Sequence, residues 1–368
     1  MVVESLSRLN YLRFMEETKK FFETEMDNVH YLEGLNKIGD NSYPNMIALL
    51  SGKQAYTGEI PNDEIGPFDD NPMIWKEFSN AGYWTAFIED MPKFTLFNYI
   101  SKGFVHQPTS FYPRPMWLHI QRAHTSVYDL LYPFSRDICI YERYPIINVL
   151  FDQTYSFVKQ SHKSGRPFFA FSFLIQTTHN DFNRAKTLDA HLKEFFVRLK
   201  PYLDDTIVIL MGDHGNRFGD VLQTKIGQIE SRMPLFGISL PKSLKKSAPE
   251  LENYLDRNKQ RLVTWLDVHE MLLDVVNNNF TSYKNTRDPN LTKTYSPWRE
   301  EVSSKRSCSD AQIPNFHCVC DLRAIVSTNI DFVIDAAHAL INFINRSLEP
   351  FNDCLPLTLL NITDAEVS

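Results

Sequence analysis

The chain has 368 residues, of which 43% are hydrophobic and 23% charged, and its formal net charge at pH 7 is −7. This composition is typical of a folded protein and excludes a disordered chain, a collagen-like chain and a disulfide-stabilised miniprotein. The acidic total gives no electrostatic reason to expect nucleic acid as a partner. No apolar run approaches the roughly 20 residues of a membrane span, and no G-x-G-x-x-G dinucleotide fingerprint occurs.

Short apolar strands alternate with amphipathic stretches along most of the chain. Residues 168–175 (FFAFSFLI) and 206–211 (TIVILM) are apolar throughout, as strands buried on both faces are. Further strands are predicted at 2–3, 81–88 and 235–240, and helices at 6–23, 43–50, 188–199, 262–276 and 329–348. This alternation favours an α/β fold with a mostly parallel sheet that is covered by helices on both faces.

Cysteines are concentrated near the C-terminus. Cys308, Cys318 and Cys320 are spaced C-x9-C-x-C, whereas structural zinc sites usually show C-x2-C or C-x4-C pairs. We therefore expect a disulfide cluster, with buried free thiols as the alternative. The cysteine count is odd, so at least one thiol has no partner within the chain, and Cys139 is our candidate.

The change in composition near residue 280 predicts two parts, an α/β domain over 1–280 and a small cysteine-containing extension over 281–368 that packs on it. Four N-x-[ST] sequons lie in or beside the second part, at Asn279, Asn290, Asn345 and Asn361. With the cysteines, they predict a disulfide-bonded glycoprotein outside the cell or in the secretory lumen. The opening MVVESLSRLN lacks the basic and apolar regions of a signal peptide, so we expect that a leader has been lost.

Carboxylates and imidazoles follow three of the predicted strands. Glu4 follows the first strand, His179 comes four residues after 168–175, and Asp213-His214 lies between glycines after 206–211. Because the carboxyl ends of parallel strands meet at one edge of a sheet, we expect these side chains to converge. Carboxylate and imidazole together suit Zn²⁺, Mn²⁺ or a similar divalent ion.

Each of these residues also has a structural interpretation. Glu4 could stabilise the start of a helix at Ser5, because a carboxylate interacts favourably with the positive end of the helix dipole. Asp213 could cap a following helix, and His179 could be a loop histidine that is hydrogen-bonded to backbone. The glycines beside Asp213-His214 would let the backbone turn sharply and approach a ligand.

Ser42 precedes Pro44 at the predicted start of a helix, in GDNSYPNMIALLSGK. It could be an ordinary N-cap residue. The same position puts a hydroxyl at a helix N-terminus, where backbone N–H groups favour an anion. A metal on that hydroxyl would lower its pKa and make it a nucleophile toward phosphorus or sulfur.

These segments resemble a known family. GDNSYPNMIALLSG is similar to the C-x-P-S-R…ALLTG nucleophile region of sulfatases, and TIVILMGDHG to the D-H-G metal motif of the alkaline phosphatase/sulfatase superfamily. Residues 225–241 and LVTWLDVHEMLLDVV resemble later segments of that domain. With VVESLSRLN, GFVHQPTSFYPRP, QTTHND and RSCSDAQIP…CVC, the chain is identified as a member of the DUF229 family of sulfatase-like animal proteins.

The resemblance implies an alkaline-phosphatase-like three-layer α/β/α sandwich and a divalent metal, Zn²⁺ before Ca²⁺ or Mn²⁺. The implied metal ligands are Glu4, Ser42, Asp213 and His214, with Ser42 also the nucleophile. The implied activity is hydrolysis or transfer of a phosphate ester, with a sulfate ester as the second choice. The substrate would be a small molecule, a glycan or a lipid head group, and the implied substrate contacts are His179, Lys225 and His269. The alternative is a non-catalytic extracellular binding protein on the same scaffold.

The sequence departs from the family pattern at two positions. Glu4 stands where the family usually has Asp, although related phosphoethanolamine transferases use Glu at the equivalent site. Ser42 is followed by Tyr43-Pro44-Asn45-Met46, so the Ser-Arg of the sulfatase motif is missing. Because sulfatases convert the residue of that motif to formylglycine, the departure favours an unmodified, metal-activated serine.

Overall fold

The computed structural model describes residues 1–26, 29–61, 65–124, 139–140, 144–282, 294–320, 324–351, 353–363 and 365–367. The chain divides into two compact units, Met1–Val319 and Cys320–Ser368. This division lies later in the chain than the expected boundary after residue 280. The sequon at Asn290 and the side chain of Cys139 lie outside what the structure describes.

Six strands of the described chain form one sheet in the first unit, in the order β2-β8-β7-β1-β6-β3. Strand β1 lies in the middle and pairs in parallel with β6 and β7, and β6 pairs in parallel with β3. Strand β8 is antiparallel to both of its neighbours. The bounds are β1 Val2–Val3, β2 Val29–Tyr31, β3 Trp84–Glu89, β6 Phe168–Leu174, β7 Val208–Gly212 and β8 Phe236–Ser239, with a separate hairpin of β4 Cys139–Ile140 and β5 Tyr144–Pro145.

Helices cover both faces of this sheet. They are α1 Arg8–Phe14, α2 Glu16–Glu25, α3 Ser42–Ser51, α4 Ile74–Asn80, α5 Arg114–His124, α6 Ile146–Lys163, α7 Ala185–Leu199, α8 Lys225–Arg232, α9 Lys242–Ser247, α10 Glu250–Asn258 and α11 Trp265–Val276. The predicted helix over 6–23 is two helices, because Met15 leaves the helical region at φ −116° and ψ 52°.

Alternate side chains of the strands enter two different cores. In β3, Phe87 packs into one core with α3, α4 and α11, while Ala86 and Ile88 pack into the other with α1, α2, α6 and α7. This is the period-2 alternation of a strand buried on both faces. The predicted three-layer α/β/α class with a mostly parallel sheet is therefore confirmed.

Residues beyond 280 belong to the first unit because α11 holds them. Asp274 accepts hydrogen bonds from Ser296 and Trp298, and Asp267 forms a buried ion pair with Arg306. A disulfide joins Cys308 to Cys318, which confirms the predicted disulfide.

The second unit contains helix α12, Asp331–Leu348, and a hairpin of β9 Ala324–Ile325 and β10 Glu366–Val367. Its Cys320 and Cys354 are exposed and free. No helix in the described part of the chain is long and apolar enough to cross a membrane.

Candidate metal centre

The register of the central strands brings Glu4 beside Asp213. Val3 is paired with Gly212 across β1 and β7, so the next residue of each strand lies at the same edge of the sheet. Val3 is also paired with Leu174 of β6, and the Glu4 amide donates to the Leu174 carbonyl at 2.9 Å. The convergence expected from three strand ends is therefore present for Glu4 and Asp213.

Glu4, Asp213 and His214 form a compact buried cluster. Each offers one ligand atom within 4.8 Å of the others, and the side chains are at most 2% exposed. His214 Nε2 lies 3.5 Å from Glu4 Oε1 and 3.3 Å from Asp213 Oδ2. We call these three residues the strand-end cluster.

Ser42 completes the strand-end cluster from a neighbouring helix. It is the first residue of α3, and its Oγ donates toward Glu4 Oε2 at 2.8 Å and lies 3.0 Å from Oε1. His214 Nε2 is 3.5 Å from the same oxygen. The residue in the N-cap position is Asn41, not Ser42. The buried Asn45 fixes the loop before α3 by accepting from the amides of residues 38 and 39.

The hydrogen bond of His214 determines which ring nitrogen faces the cluster. Nδ1 lies 2.8 Å from the Gly215 carbonyl oxygen, so Nδ1 carries the proton and donates it. Burial lowers the pKa of His214 to about 4, and the charges of Lys37 and Arg217 add to this although Asp213 opposes it. The imidazole is therefore neutral at pH 7, and its Nε2 lone pair points toward the two carboxylates.

The two carboxylates differ in their hydrogen bonds. Asp213 Oδ1 accepts from the amides of Ser5 at 2.8 Å and His214 at 2.9 Å, whereas Oδ2 is buried and has no hydrogen-bond partner. Burial and the neighbouring Asp213 raise the pKa of Glu4 well above its usual value. Burial opposes ionisation of Asp213, but its polar neighbours outweigh it and lower its pKa. Of the two acids, Glu4 is therefore the one whose protonated form burial favours.

Both glycines of the G-D-H-G segment are needed for close backbone packing. A Cβ on Gly212 would lie 2.1 Å from the Leu6 carbonyl oxygen, and one on Gly215 would lie 1.7 Å from that of Glu230. Neither neighbour is a flexible side chain, so any larger residue would displace the turn that carries Asp213 and His214.

The residues of the strand-end cluster fit a divalent cation. The imidazole Nε2 lies 3.5 Å from one carboxylate and 3.3 Å from the other, and Asp213 Oδ2 has no hydrogen-bond partner. Such negative groups are stable together in a buried site only when a proton or a cation lies between them. Carboxylate oxygen and imidazole nitrogen are typical zinc ligands, and with the Ser42 hydroxyl as a fourth group the number matches tetrahedral coordination.

The three predicted substrate contacts lie in different places. His179 is half-buried, hydrogen-bonds to the Asn180 side chain at 2.6 Å, and lies close enough for Asp213 to act on its pKa, which burial lowers. Lys225 begins α8 with an exposed side chain. His269 is bonded to the Leu49 carbonyl at 2.8 Å. Since Leu49 is seven residues from Ser42 in α3, this places His269 about 10 Å farther along the helix axis.

His269 therefore lies away from the strand-end cluster, whereas the contact of Lys225 with a substrate stays a prediction. His269 instead packs α11 against α3, where its ring occupies the space beside Gly52. Three charged residues near the cluster were not predicted, namely Lys37, Asp40 and Arg217. Each lies within five residues of Ser42 or His214, so proximity to the motifs was the available signal.

The chain belongs to the family described as "Protein of unknown function (DUF229)", whose model matches residues 1–363. The family resemblance is thus confirmed. No curated protein matches the sequence.

Three solved structures are among those to which the chain is similar. Ps i-CgsB is 12% identical with a TM-score of 0.49, over 81% of this chain and 74% of that one. The C-terminal periplasmic domain of EcEptC from Escherichia coli is 11% identical with a TM-score of 0.48, over 83% and 89%. The PsFucS1 sulfatase from Pseudoalteromonas sp. is 13% identical with a TM-score of 0.47, over 89% and 74%.

Proposed function

We propose that the chain is a metal-dependent hydrolase or transferase that acts on a phosphate ester through Ser42, with a sulfate ester as the second choice. One observation carries the proposal: the Ser42 hydroxyl lies within 3.0 Å of both Glu4 carboxylate oxygens and 3.5 Å from the Nε2 of a neutral His214.

Glu4, Ser42, Asp213 and His214 would hold the divalent cation, with Zn²⁺ as the first choice and Ca²⁺ or Mn²⁺ as alternatives. When bound, such an ion acts as a Lewis acid on the substrate oxygen and lowers the pKa of the serine hydroxyl. The protein orients this set through hydrogen bonds outside it. Gly215 fixes the His214 ring, and the amides of Ser5 and His214 fix Asp213.

The position of Ser42 in helix α3 supports its proposed role as the nucleophile. Its Oγ lies at the first residue of the helix, where free backbone N–H groups favour a developing negative charge. In the proposed reaction Ser42 Oγ bonds to phosphorus while the ester P–O bond breaks, and the serine proton leaves with the alcohol. Water or an acceptor hydroxyl then cleaves the phosphoserine and restores the Ser42 hydroxyl.

We propose a small-molecule, glycan or lipid-head-group ester as substrate, with His179 facing its oxygen atoms. The location proposed is outside the cell or in the secretory lumen. The Cys308–Cys318 disulfide supports this, because disulfides persist in oxidising compartments. The exposed sequon residues Asn279 and Asn361 are accessible for glycosylation.

Elemental analysis and turnover of aryl phosphates and aryl sulfates test the proposal together. We expect about one divalent ion per chain, and we expect Ser42→Ala to abolish turnover while the protein remains folded. Ser51→Ala is the matched control, because Ser51 lies in the same helix and its hydroxyl bonds to local backbone, donating to the Ile47 carbonyl and accepting from the Lys53 amide. Full activity of Ser42→Ala would remove Ser42 from this role. A metal-free wild type that is inert toward both esters would favour a binding protein.

A further inference from the structure

Arg217 carries a charge that the proposed reaction does not use. It lies three residues after His214, in the loop that follows β7. We propose that Arg217 is a positioning residue that receives two oxygens of the substrate's phosphate or sulfate group on the free edge of its guanidinium. This inference rests on the proposed function, because it concerns the substrate of the same site.

An ion pair fixes where the guanidinium lies. Arg217 Nη1 is 3.0 Å from Asp40 Oδ2. Asp40 is two residues before Ser42, and two residues of extended chain span at most about 7 Å. The pair thus joins the loop of His214 to the loop of Ser42, and it holds the guanidinium against the segment that leads into the nucleophile.

The edge of the guanidinium that carries Nε is available for a ligand. Asp40 bonds to Nη1, whereas Nε is buried and has no hydrogen-bond partner among the residues that the structure describes. A buried N–H without an acceptor is costly. The Nε edge of arginine is one of its two-donor edges, which match two oxygens of a phosphate or sulfate group.

Neighbouring side chains hold this orientation. The guanidinium carbon lies 5.2 Å from the centre of the Phe218 ring, a contact that restrains the guanidinium plane. The other carboxylate oxygen of Asp40 lies 3.6 Å from Nζ of the buried Lys37. Burial opposes ionisation of Asp40, but Lys37 and Arg217 outweigh it and keep its pKa below the usual value. Asp40 is therefore an anchored anion that tethers Arg217.

The charge of Arg217 also reaches the strand-end cluster. Burial raises the pKa of Glu4, and the charge of Arg217 opposes this rise. Burial lowers the pKa of His214 and of His179, and the charge of Arg217 acts in the same direction. These three side chains come from three different strand ends. An oxoanion placed between them and Ser42 would therefore lie within the field of Arg217.

The test is calorimetric binding of inorganic phosphate and of sulfate to the metal-loaded protein, alongside turnover of an aryl phosphate. We expect Arg217→Ala to weaken phosphate binding by roughly 10- to 100-fold, because a charge-assisted two-donor contact is lost. Arg217→Lys keeps the charge but not the paired donors, so its loss should lie between those of wild type and alanine.

Arg257→Ala is the matched control. Arg257 also pairs with a carboxylate, Glu301 at 3.8 Å, and also lies over a ring, Tyr254 at 5.8 Å, but it belongs to helix α10. It should change phosphate binding less than twofold. The thermal unfolding midpoint of each variant shows whether the fold is retained.

The outcomes separate the two proposals. If wild type turns over the ester and Arg217→Ala shows unchanged phosphate binding and unchanged KM, the role of Arg217 is overturned and the proposed function stays intact. Weakened phosphate binding in that variant, without any wild-type turnover, supports Arg217 and overturns the catalytic function. A wild type that binds neither anion and turns over no ester overturns both.

Discussion

Two pairs of buried carboxyl groups lie at the same edge of the sheet, and only one pair forms a candidate metal centre. Glu4 and Asp213 follow β1 and β7, while Glu89 and Asp90 lie at the end of β3. All four side chains are nearly inaccessible to solvent. The comparison shows that burial of carboxylates at strand ends does not by itself define the site.

The difference lies in how the oxygen atoms are satisfied. Asp90 accepts from the amides of Ile175 at 2.8 Å and Gln176 at 3.2 Å, one on each oxygen. Glu89 accepts from the Leu96 amide at 3.0 Å. Burial nevertheless raises the pKa of Glu89 to about 8 and that of Asp90 to about 7. The second pair is thus a hydrogen-bonded tether between loops, in which burial favours the protonated form of each acid.

The strand-end cluster is instead short of donors. Asp213 Oδ2 has no hydrogen-bond partner, and the group that faces it is the Nε2 lone pair of His214. A cation would satisfy this arrangement, whereas at Asp90 it would have to displace two backbone amides. The two pairs therefore differ in the hydrogen-bond donors that surround them, and not in the acids themselves.

The largest expected effect is that of Asp213→Ala on the stability gained from a metal ion. At a metal concentration a thousandfold above Kd, wild-type protein should gain about 4 kcal/mol of unfolding free energy from the ion. Asp213→Ala should lose this gain entirely, because the orphaned oxygen is absent. Denaturant unfolding with and without Zn²⁺ measures the difference.

Asp90→Ala is the matched variant for the second pair. It should lower the stability of the metal-free protein, because the amides of residues 175 and 176 lose their acceptor, yet keep the gain from Zn²⁺. Equal loss of the metal effect in both variants would contradict the distinction drawn between the two pairs.

Sequence patterns located the strand-end cluster because a single rule applies to it. Apolar runs identified β6 and β7, and residues after parallel strands must meet at one edge of the sheet, so Glu4, Asp213 and His214 could be predicted. The same rule holds for Glu89 and Asp90. It could not have distinguished the two pairs, because their donors are backbone amides whose positions depend on the folded loops.

Residues on loops and helices were harder to predict for a related reason. Arg217 forms an ion pair with Asp40, two residues before Ser42, and nothing in a linear pattern shows that these two loops meet. His269 was assigned to the substrate from its motif, but its place along α11 puts it against the far part of α3. The split of the predicted helix at Met15 likewise lies in its backbone angles, which no linear pattern shows.

The raised pKa of Glu89 in the second pair can be tested through the pH dependence of stability. The Glu89 carboxyl has a raised pKa of about 8, against 4.5 in an ordinary environment. Between these values the unfolded chain releases a proton that the folded protein keeps, so wild-type stability falls as pH rises. Glu89→Gln does not titrate and retains an acceptor for Leu96. The unfolding free energy of Glu89→Gln minus that of wild type should be about 3 kcal/mol larger at pH 7 than below pH 4.5.

Denaturant unfolding of both proteins from pH 4 to 9 measures this difference. Glu301→Gln is the control for replacing a glutamate that is exposed. A constant difference between Glu89→Gln and wild type across this range would mean that Glu89 is ionised in the folded protein.

The smallest expected effect concerns the backbone of Glu4. The Thr178 hydroxyl donates to the Glu4 carbonyl oxygen at 2.6 Å, and Thr178→Val removes this bond with little change in shape. The loss should lower the unfolding free energy by about 1 kcal/mol. It should also weaken Zn²⁺ binding about tenfold, as loss of a hydrogen bond that orients a metal ligand does.

Thr154→Val separates these two effects. The Thr154 hydroxyl also donates to a backbone carbonyl, that of Leu150 at 2.9 Å. It lies between α6 and β6, where it contacts the Ser172 hydroxyl. Its loss should reduce stability by a similar amount while Zn²⁺ affinity, measured by competition with a chelator, stays the same. If both threonine variants weaken Zn²⁺ equally, the ligand geometry depends on general stability, and the hydrogen bond to Glu4 has no special role.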